Sequence, residues 1–122
     1  MASSELKPWS KLEPLEKREA IAVRLGWRHT PYQPYRWWQQ DWSPEANTHT
    51  ELPDWPTNDG LAITEVNRAI QMVPSIKYIG IGWFSNGRRF VEVYNGSMHI
   101  FDAELLLADG LCAAAYELLP VP

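Results

Sequence analysis

Two Asn-Gly dipeptides constrain the fold of this chain more than any other feature. Asn86-Gly87 and Asn95-Gly96 separate three runs rich in β-branched and aromatic residues, which span 76–84, 88–94 and 97–101. An Asn-Gly pair between two such runs is the strongest short-range signal for a tight β-hairpin. The sequence therefore predicts a three-stranded antiparallel meander in the second half of the chain.

Two helices are predicted before this meander. The first begins at Pro14, which suits a first helical turn, and ends at Gly26. The second begins at one of the residues 57–59, all of which are able to cap a helix, and it ends before Pro74. Apolar residues recur at helical spacing in both segments, so each helix has one face for a core.

A last helix is predicted after the meander, from about Ala103 to Leu119, with Asp102 as its N-terminal cap. Gly110 lies inside this segment and costs a helix about 1 kcal/mol unless close packing offsets the loss. Helices that flank an antiparallel meander predict an α+β fold with about three helices.

One domain accounts for the whole chain. Its 122 residues, 45% of them hydrophobic, are enough for a single core. Residues 1–12 are predicted to be a flexible polar lead-in, and residues 13–122 a single α+β domain. Cys112 is the only cysteine and lies in an apolar run, so we expect a buried, unreactive thiol. We expect no metal site and no cofactor, because neither cysteines nor histidines have ligand spacing.

The register of the meander decides which side chains share a face. If each Asn-Gly pair closes a two-residue loop, Glu92 lies opposite His99. One face is then assigned to helix packing and carries Gly80, Gly82, Val91, Val93, Met98 and Ile100. The other face is aromatic and holds a secondary candidate binding site, formed by Trp83, Glu92, Tyr94 and His99. The alternative is that a helix covers this face too, with Glu92 and His99 as a cross-strand pair at its edge.

Residues 27–56 connect the first two helices and are rich in tryptophan and proline. A connection of this length is typical of a functional loop or of unrecognised structure. Tryptophan, tyrosine and arginine dominate the binding energy of protein interfaces. The connection therefore holds the main candidate binding site, which consists of Tyr35, Arg36, Trp37, Trp38 and Trp42. The alternative is that these aromatic side chains hold the connection onto the core.

Five features follow one another in a characteristic order: Leu25-Gly26-Trp27, Tyr35-Arg36-Trp37-Trp38, Trp55-Pro56-Thr57-Asn58-Asp59, the meander, and Leu111-Cys112-Ala113-Ala114-Ala115. Over about residues 12–119, this order resembles the phage ABA sandwich domain family of small phage proteins. The resemblance implies a layered α-β-α sandwich, with helices on both faces of the sheet, and an origin in a phage or prophage. It supplies no catalytic residues.

Charge and hydropathy disfavour several classes of partner. The net charge of -4 comes from 15 acidic and 11 basic side chains that are scattered along the chain, so no basic tract is available for nucleic acid. No apolar run approaches the roughly 20 residues of a membrane-spanning helix. Residues 1–11 lack the apolar stretch of a signal peptide. We expect a cytoplasmic protein, located in the host cell if a phage encodes it.

No arrangement of catalytic residues is recognisable, so the favoured hypothesis is noncatalytic. It is a phage or prophage accessory protein that binds a host or phage protein, for instance to inhibit a bacterial defence system. The alternative is a small-molecule binder that sequesters a nucleotide-like signal. Arg36, Arg88 and Arg89 are the candidate cations for such a ligand, because they lie near aromatic residues. An enzyme with Glu92 and His99 as general acid and base lacks a nucleophile or metal. The oligomeric state stays open, with a homodimer among the alternatives.

Overall fold

A computed structural model describes residues 7–39, 48–103 and 106–121. These residues form three main helices and two antiparallel sheets: α1 (Pro14–Arg24), β1 (Arg28–His29), β2 (Trp37–Trp38), α2, β3 (Tyr78–Trp83), β4 (Arg89–Tyr94), β5 (Met98–Asp102) and α3 (Leu107–Leu118). Helix α2 is continuous and consists of Asp59–Leu61, the π-helical turn Ala62–Val66 and Asn67–Gln71. A short 3-10 turn, Trp9–Lys11, precedes α1. The α+β class and the three-stranded meander are confirmed.

Local signals set both ends of α1. Pro14 occupies the first helical position, and the Glu13 backbone N–H donates to Oε1 of Glu16 at 2.8 Å. At the other end, Gly26 has a φ of 91°, and the backbone N–H of Trp27 donates to the carbonyl of Ala22 at 2.9 Å. This is a Schellman motif, in which a residue with positive φ closes the last turn.

The start of α3 depends on a residue from another helix. The prediction that Asp102 caps a helix beginning at Ala103 is wrong. Asp102 ends β5 and pairs with Arg88, while the backbone N–H of Ala103 continues the β-ladder by donating to Arg89 at 3.0 Å. Helix α3 begins at Leu107, and Oδ1 of Asp59 in α2 accepts from the Ala108 backbone N–H at 2.9 Å. A carboxylate from α2 therefore satisfies one of the free N–H groups that every helix N-terminus carries.

Helix α3 is the centre of the core. It contacts α1, α2, β4 and β5, and nearly all of its residues are buried. At Gly110, an added Cβ would lie 2.7 Å from Cβ of Ala103 and 3.2 Å from Cγ2 of Val91. The close packing that was predicted as the offset for this glycine is therefore present. Cys112 is completely buried in the same helix, as expected.

The register of the meander differs from the predicted one by one residue at each hairpin. Glu92 lies opposite Gly80 and Ile100, while His99 lies opposite Val93. The cause is loop length: three residues, 85–87 and 95–97, separate the paired residues of each hairpin. Gly87 and Gly96 take φ values of 89° and 106°. Gly87 is the last residue of its loop, a position where a three-residue hairpin commonly has positive φ, whereas Gly96 is the middle residue of 95–97.

The one-residue difference at each hairpin reverses the faces of β3 and β5 relative to the prediction, whereas Val91 and Val93 of β4 lie on the helix-packing face as predicted. The face toward α3 carries the odd-numbered residues, including Val91, Val93 and Phe101, which are buried. The opposite face carries the even-numbered residues from Tyr78 to Asp102, and most of its large side chains are exposed, with Phe90 half-buried. The resemblance implied helices on both faces. In the described part of the chain, α3 packs on one face only.

The tryptophan-rich connection contains structure that the sequence did not reveal. Strands β1 and β2 pair antiparallel, and Trp37 also forms an isolated β-bridge with His49. The indole of Trp27 meets that of Trp55 edge to face, with 5.8 Å between ring centroids. Trp55 is fully buried, and its Nε1 donates to Oε1 of Glu65 at 2.9 Å. The connection is thus anchored in the core by its own indoles.

Candidate functional site

The main candidate residues do not form one exposed surface. Trp37 is only 3% exposed and belongs to the core. Tyr35 packs edge to face on Trp37, with 6.0 Å between centroids, and is half-buried. Trp38 is half-buried, and Arg36 is exposed. Trp42 lies outside the described residues.

Burial of Trp37 favours a structural role for this indole. Its ring and that of Tyr35 both contact the imidazole of His29, at centroid distances of 4.7 and 4.3 Å. These contacts join the two strands of the β1–β2 hairpin. Arg36, whose Nε donates to Oγ1 of Thr48 at 3.3 Å, and Trp38 keep accessible surface. Their role in binding stays a prediction.

The secondary candidate residues are divided between the two faces of the sheet, so the predicted pairing of Glu92 with His99 is wrong. Glu92 and Tyr94 lie on the exposed face, whereas Trp83 and His99 lie on the face toward the helices. The imidazole of His99 is within hydrogen-bond distance of Oδ1 of Asn95, at 3.1 Å from Nε2. A general acid and base formed by Glu92 and His99 is therefore excluded by the register.

The exposed face of the meander carries several large apolar side chains in the described part of the chain. We call it the open face; its exposed large side chains are Tyr78, Phe84, Tyr94, Met98 and Ile100. Each of the five is between 40% and 53% exposed. A large side chain buries about 150–250 Å² when covered, so the five together present roughly 500 Å². The largest apolar patch on a typical monomer covers about 300–600 Å² and is often functional.

Two glycines allow aromatic rings to lie flat on the open face. An added Cβ at Gly80 would lie 2.3 Å from the Tyr78 hydroxyl oxygen, and one at Gly82 would lie 2.4 Å from Cζ of Phe90. The sequence interpretation had assigned both glycines to helix packing. They lie instead beneath aromatic rings on the open face, and they make this face smooth.

Each charged side chain of the open face has a partner on the same face. The Tyr78 hydroxyl donates to Oε1 of Glu92 at 2.8 Å, and this bond to a carboxylate raises the pKa of Tyr78 above its ordinary value. Arg88 pairs with Asp102 at the rim. A partner covering this face would leave neither carboxylate without a donor, which lowers the cost of desolvating it.

Met98 and Ile100 were predicted to pack against a helix, but both are exposed. The signal that could have placed them correctly is loop length, since an Asn-Gly pair also suits a three-residue loop in which glycine takes positive φ. A shift of one residue at each hairpin moves Met98 and Ile100 to the exposed side. Tyr94 and Glu92 were predicted as candidate residues and do lie on the open face.

A cleft of about 900 Å³ lies between the N-terminal segment, the loop before α2, α3 and the end of β5, where Ile100 also lines it. Trp9 and Tyr116 form its aromatic walls, but Nε1 of Trp9 donates to Asp109 at 3.0 Å, and the Tyr116 hydroxyl donates to the carbonyl of Lys7 at 2.5 Å. Its charged lining consists of Lys7, Lys17, Asp54, Asp102, Asp109 and Glu117. Carboxylates outnumber lysines there, so the cleft disfavours a phosphate-bearing ligand.

Other chemistry is sparse in the described residues. Burial raises the pKa of the Cys112 thiol far above its ordinary value, which keeps the sulfur protonated and unreactive. Within ranges 7–39, 48–103 and 106–121, no three His, Cys, Asp or Glu side chains are grouped to hold a metal ion. Arg88 lies on the open face and Arg89 on the other, so these two cations do not converge. No helix in this part of the chain is long and apolar enough to cross a membrane.

No protein-family model matches the chain, and neither a curated protein nor a solved structure matches it. The resemblance to the phage ABA sandwich family stays a prediction.

Proposed function

We propose that this protein is a noncatalytic binding module that captures a partner protein on the open face of its meander. The observation that carries the proposal is the coincidence, on one sheet face, of half-exposed aromatic and aliphatic side chains with charged groups that are already paired. Aromatic residues and methionine are enriched at the centres of protein interfaces and charged residues are depleted there; the pairing of the charges on this face lowers the cost of covering them.

The proposed biological setting rests on the resemblance to the phage ABA sandwich domain family. A phage or prophage accessory protein that acts in the host cytoplasm would bind a host or phage protein, for instance a component of a bacterial defence system. Inhibition of this kind needs a surface and no catalytic group, which agrees with the chemistry of the described residues. The acidic balance of the chain, with a net charge of -4, favours a protein partner over nucleic acid.

The test uses aspartate substitutions that change the open face without touching the core. Met98→Asp and Ile100→Asp, made together, place charge on side chains that are 51% and 53% exposed, so the fold should persist. Met72→Asp is the matched control, because Met72 is 74% exposed at the C-terminal cap of α2 and does not belong to the sheet. The immobilised chains are compared for stoichiometric capture of protein from a bacterial lysate, and circular dichroism verifies folding.

We expect one protein to be captured by the unmodified chain and by the Met72→Asp control, and to be lost with the double aspartate variant. Equal capture by all three chains, or capture of no protein by any of them, contradicts the proposal. The alternative function, binding of a nucleotide-like small molecule, is tested by titrating a panel of nucleotides into the protein and following its tryptophan fluorescence. Saturable quenching by a nucleotide, with no captured protein, would replace the proposed module with a small-molecule binder.

A further inference from the structure

Strand β3 forms an edge of the sheet whose own six residues lack the usual protection against pairing. The strand order is β3-β4-β5, so only one side of β3 is bonded within the sheet. The residues Tyr78–Trp83 include neither a charge nor a proline; Lys77 lies directly before them, and its backbone N–H donates to the carbonyl of Tyr94 at 2.8 Å. Natural edge strands usually carry lysine, proline or a bulge that prevents edge-to-edge contact. Within the described residues, no segment pairs with the outer side of β3.

The backbone groups that point outward can be assigned from the hairpin. The Phe84 backbone N–H donates to the carbonyl of Arg88 at 2.8 Å, which makes this a hydrogen-bonded pair. Hydrogen-bonded and non-bonded pairs alternate along an antiparallel ladder. The N–H and C=O groups of Ile79, Ile81 and Trp83 therefore point away from β4 and are available to another strand.

We propose that β3 pairs antiparallel with β3 of a second copy of this chain, with Ile81 facing Ile81 of the second copy on the two-fold axis. The three outward residues then form three hydrogen-bonded pairs, because Ile79 of each copy faces Trp83 of the other. Between them, Gly80 faces Gly82 of the second copy. Two three-stranded meanders become one continuous six-stranded sheet.

The side chains at this edge match that two-fold register. Ile81 and Trp83 are 46% and 66% exposed on the side of the helices, where they would meet Ile81 and Ile79 of the second copy. Tyr78 and Phe84 are half-exposed on the open face, where each would meet the other residue across the seam. Aromatic and β-branched cross-strand pairs are those that stabilise antiparallel sheets. Each exposed apolar side chain at the edge thus gains an apolar neighbour.

The surface area that the pairing would bury indicates the class of interface to which it belongs. Four large side chains, each about half exposed, contribute roughly 400 Å² per copy, or about 800 Å² in total before the backbone is counted. Specific stable interfaces bury about 1,200–2,000 Å² in total. The pairing therefore falls among weak contacts, and the dimer should dissociate on dilution.

The opposite edge is less suited to self-pairing. Strand β5 ends in Asp102 and includes His99, so that edge carries polar groups. The pairing of β3 stands on its own edge geometry and does not depend on what the open face binds. If both hold, the seam places two open faces side by side on one sheet.

Cysteine cross-linking tests the two-fold register directly. Residues in a hydrogen-bonded antiparallel pair have Cα atoms about 5.5 Å apart, within the range for a disulfide. Ile81→Cys should therefore form a covalent dimer with oxidised glutathione as the oxidant. Ile79→Cys is the control, because Ile79 would face Trp83 of the second copy and not its own equivalent. Native Cys112 is buried and should not interfere.

Sedimentation over a range of concentrations tests the dimer without cross-linking. Ile81→Lys places a charge at the seam, and Ile81→Pro removes an outward N–H without breaking the ladder to β4. Ile100→Pro is the matched control, because its N–H points outward from β5. We expect a concentration-dependent dimer for the unmodified chain and for Ile100→Pro, and a monomer for Ile81→Lys and for Ile81→Pro. A monomeric unmodified chain, a persistent Ile81→Lys dimer, or equal cross-linking of the two cysteine variants overturns the proposal.

Discussion

Gly110 shows how one residue joins the helical layer to the sheet. A glycine inside α3 reduces helix propensity by about 1 kcal/mol relative to alanine. The structure explains the glycine, because an added Cβ would lie 2.7 Å from Cβ of Ala103 and 3.2 Å from the backbone oxygen of Asp102. Neither neighbour is the end of a flexible side chain, so α3 would have to move away from β5.

We expect Gly110→Ala to lower the free energy of unfolding even though alanine favours the helix. Overpacking a rigid site costs about 1–3 kcal/mol, which exceeds or cancels the propensity gain of about 1 kcal/mol. Urea unfolding measures the difference. Glu117→Ala, at an exposed position of the same helix, is the control and should change stability by less than about 0.5 kcal/mol. A Gly110→Ala variant more stable than the original chain would contradict the close packing of α3 on the sheet.

At the scale of elements, local signals located α1 and non-local contacts determined what the sequence could not place. Pro14 and Gly26 act within their own turns, and α1 lies between them as predicted. The cap of α3 comes from Asp59, which is 49 positions away from Ala108 along the chain. A sequence pattern does not reveal a partner at that separation. The nearer Asp102 was therefore the predicted cap of α3.

The sequence predicted the strands of the meander but not their register. Its existence and strand order were predicted from the two Asn-Gly pairs, but its register was not, because an Asn-Gly pair suits loops of both two and three residues. The difference of one residue separated Glu92 from His99 and moved Met98 and Ile100 to the surface. Much of the fold was therefore predictable, whereas the candidate site depended on a loop length that the sequence left open.

The start of α1 should make stability depend on pH in a defined direction. The Glu13 backbone N–H and the Lys7 ammonium, at 2.8 and 3.3 Å from Oε1, lower the pKa of Glu16 below its ordinary value. A carboxyl group with a lowered pKa stabilises the folded state above its ordinary pKa. That contribution disappears as the pH falls through the folded-state pKa.

We expect Glu16→Gln to be less stable than the original chain at neutral pH and equal to it in acid. Glutamine still accepts the Glu13 N–H bond but does not titrate, so the difference between the two chains isolates the Glu16 charge. Thermal unfolding at a series of pH values measures this difference. A gap between the two chains that stays constant down to the acid range would show that the Glu16 carboxylate does not support α1.

At the scale of the whole molecule, the helices and the sheet form an asymmetric arrangement. Helix α3 covers the face with Val91, Val93 and Phe101, while the open face presents about 500 Å² of large side chains in the described residues. The core does not require aromatic and aliphatic residues there, because Tyr78, Tyr94, Met98 and Ile100 contribute little to it. Capture of a protein on the open face follows from this asymmetry, whereas the self-pairing of β3 follows from its position at the edge of the sheet.

The measurement that tests the central claim most directly is thiol labelling of single cysteines along β5. Native Cys112 is buried and has a raised pKa, so it provides an unreactive background. Met98→Cys and Ile100→Cys should react with a maleimide at rates near that of an unstructured thiol, whereas Phe101→Cys, on the buried face, should react far more slowly. Rapid labelling at 101 with protection at 98 and 100 would contradict the register and, with it, the open face.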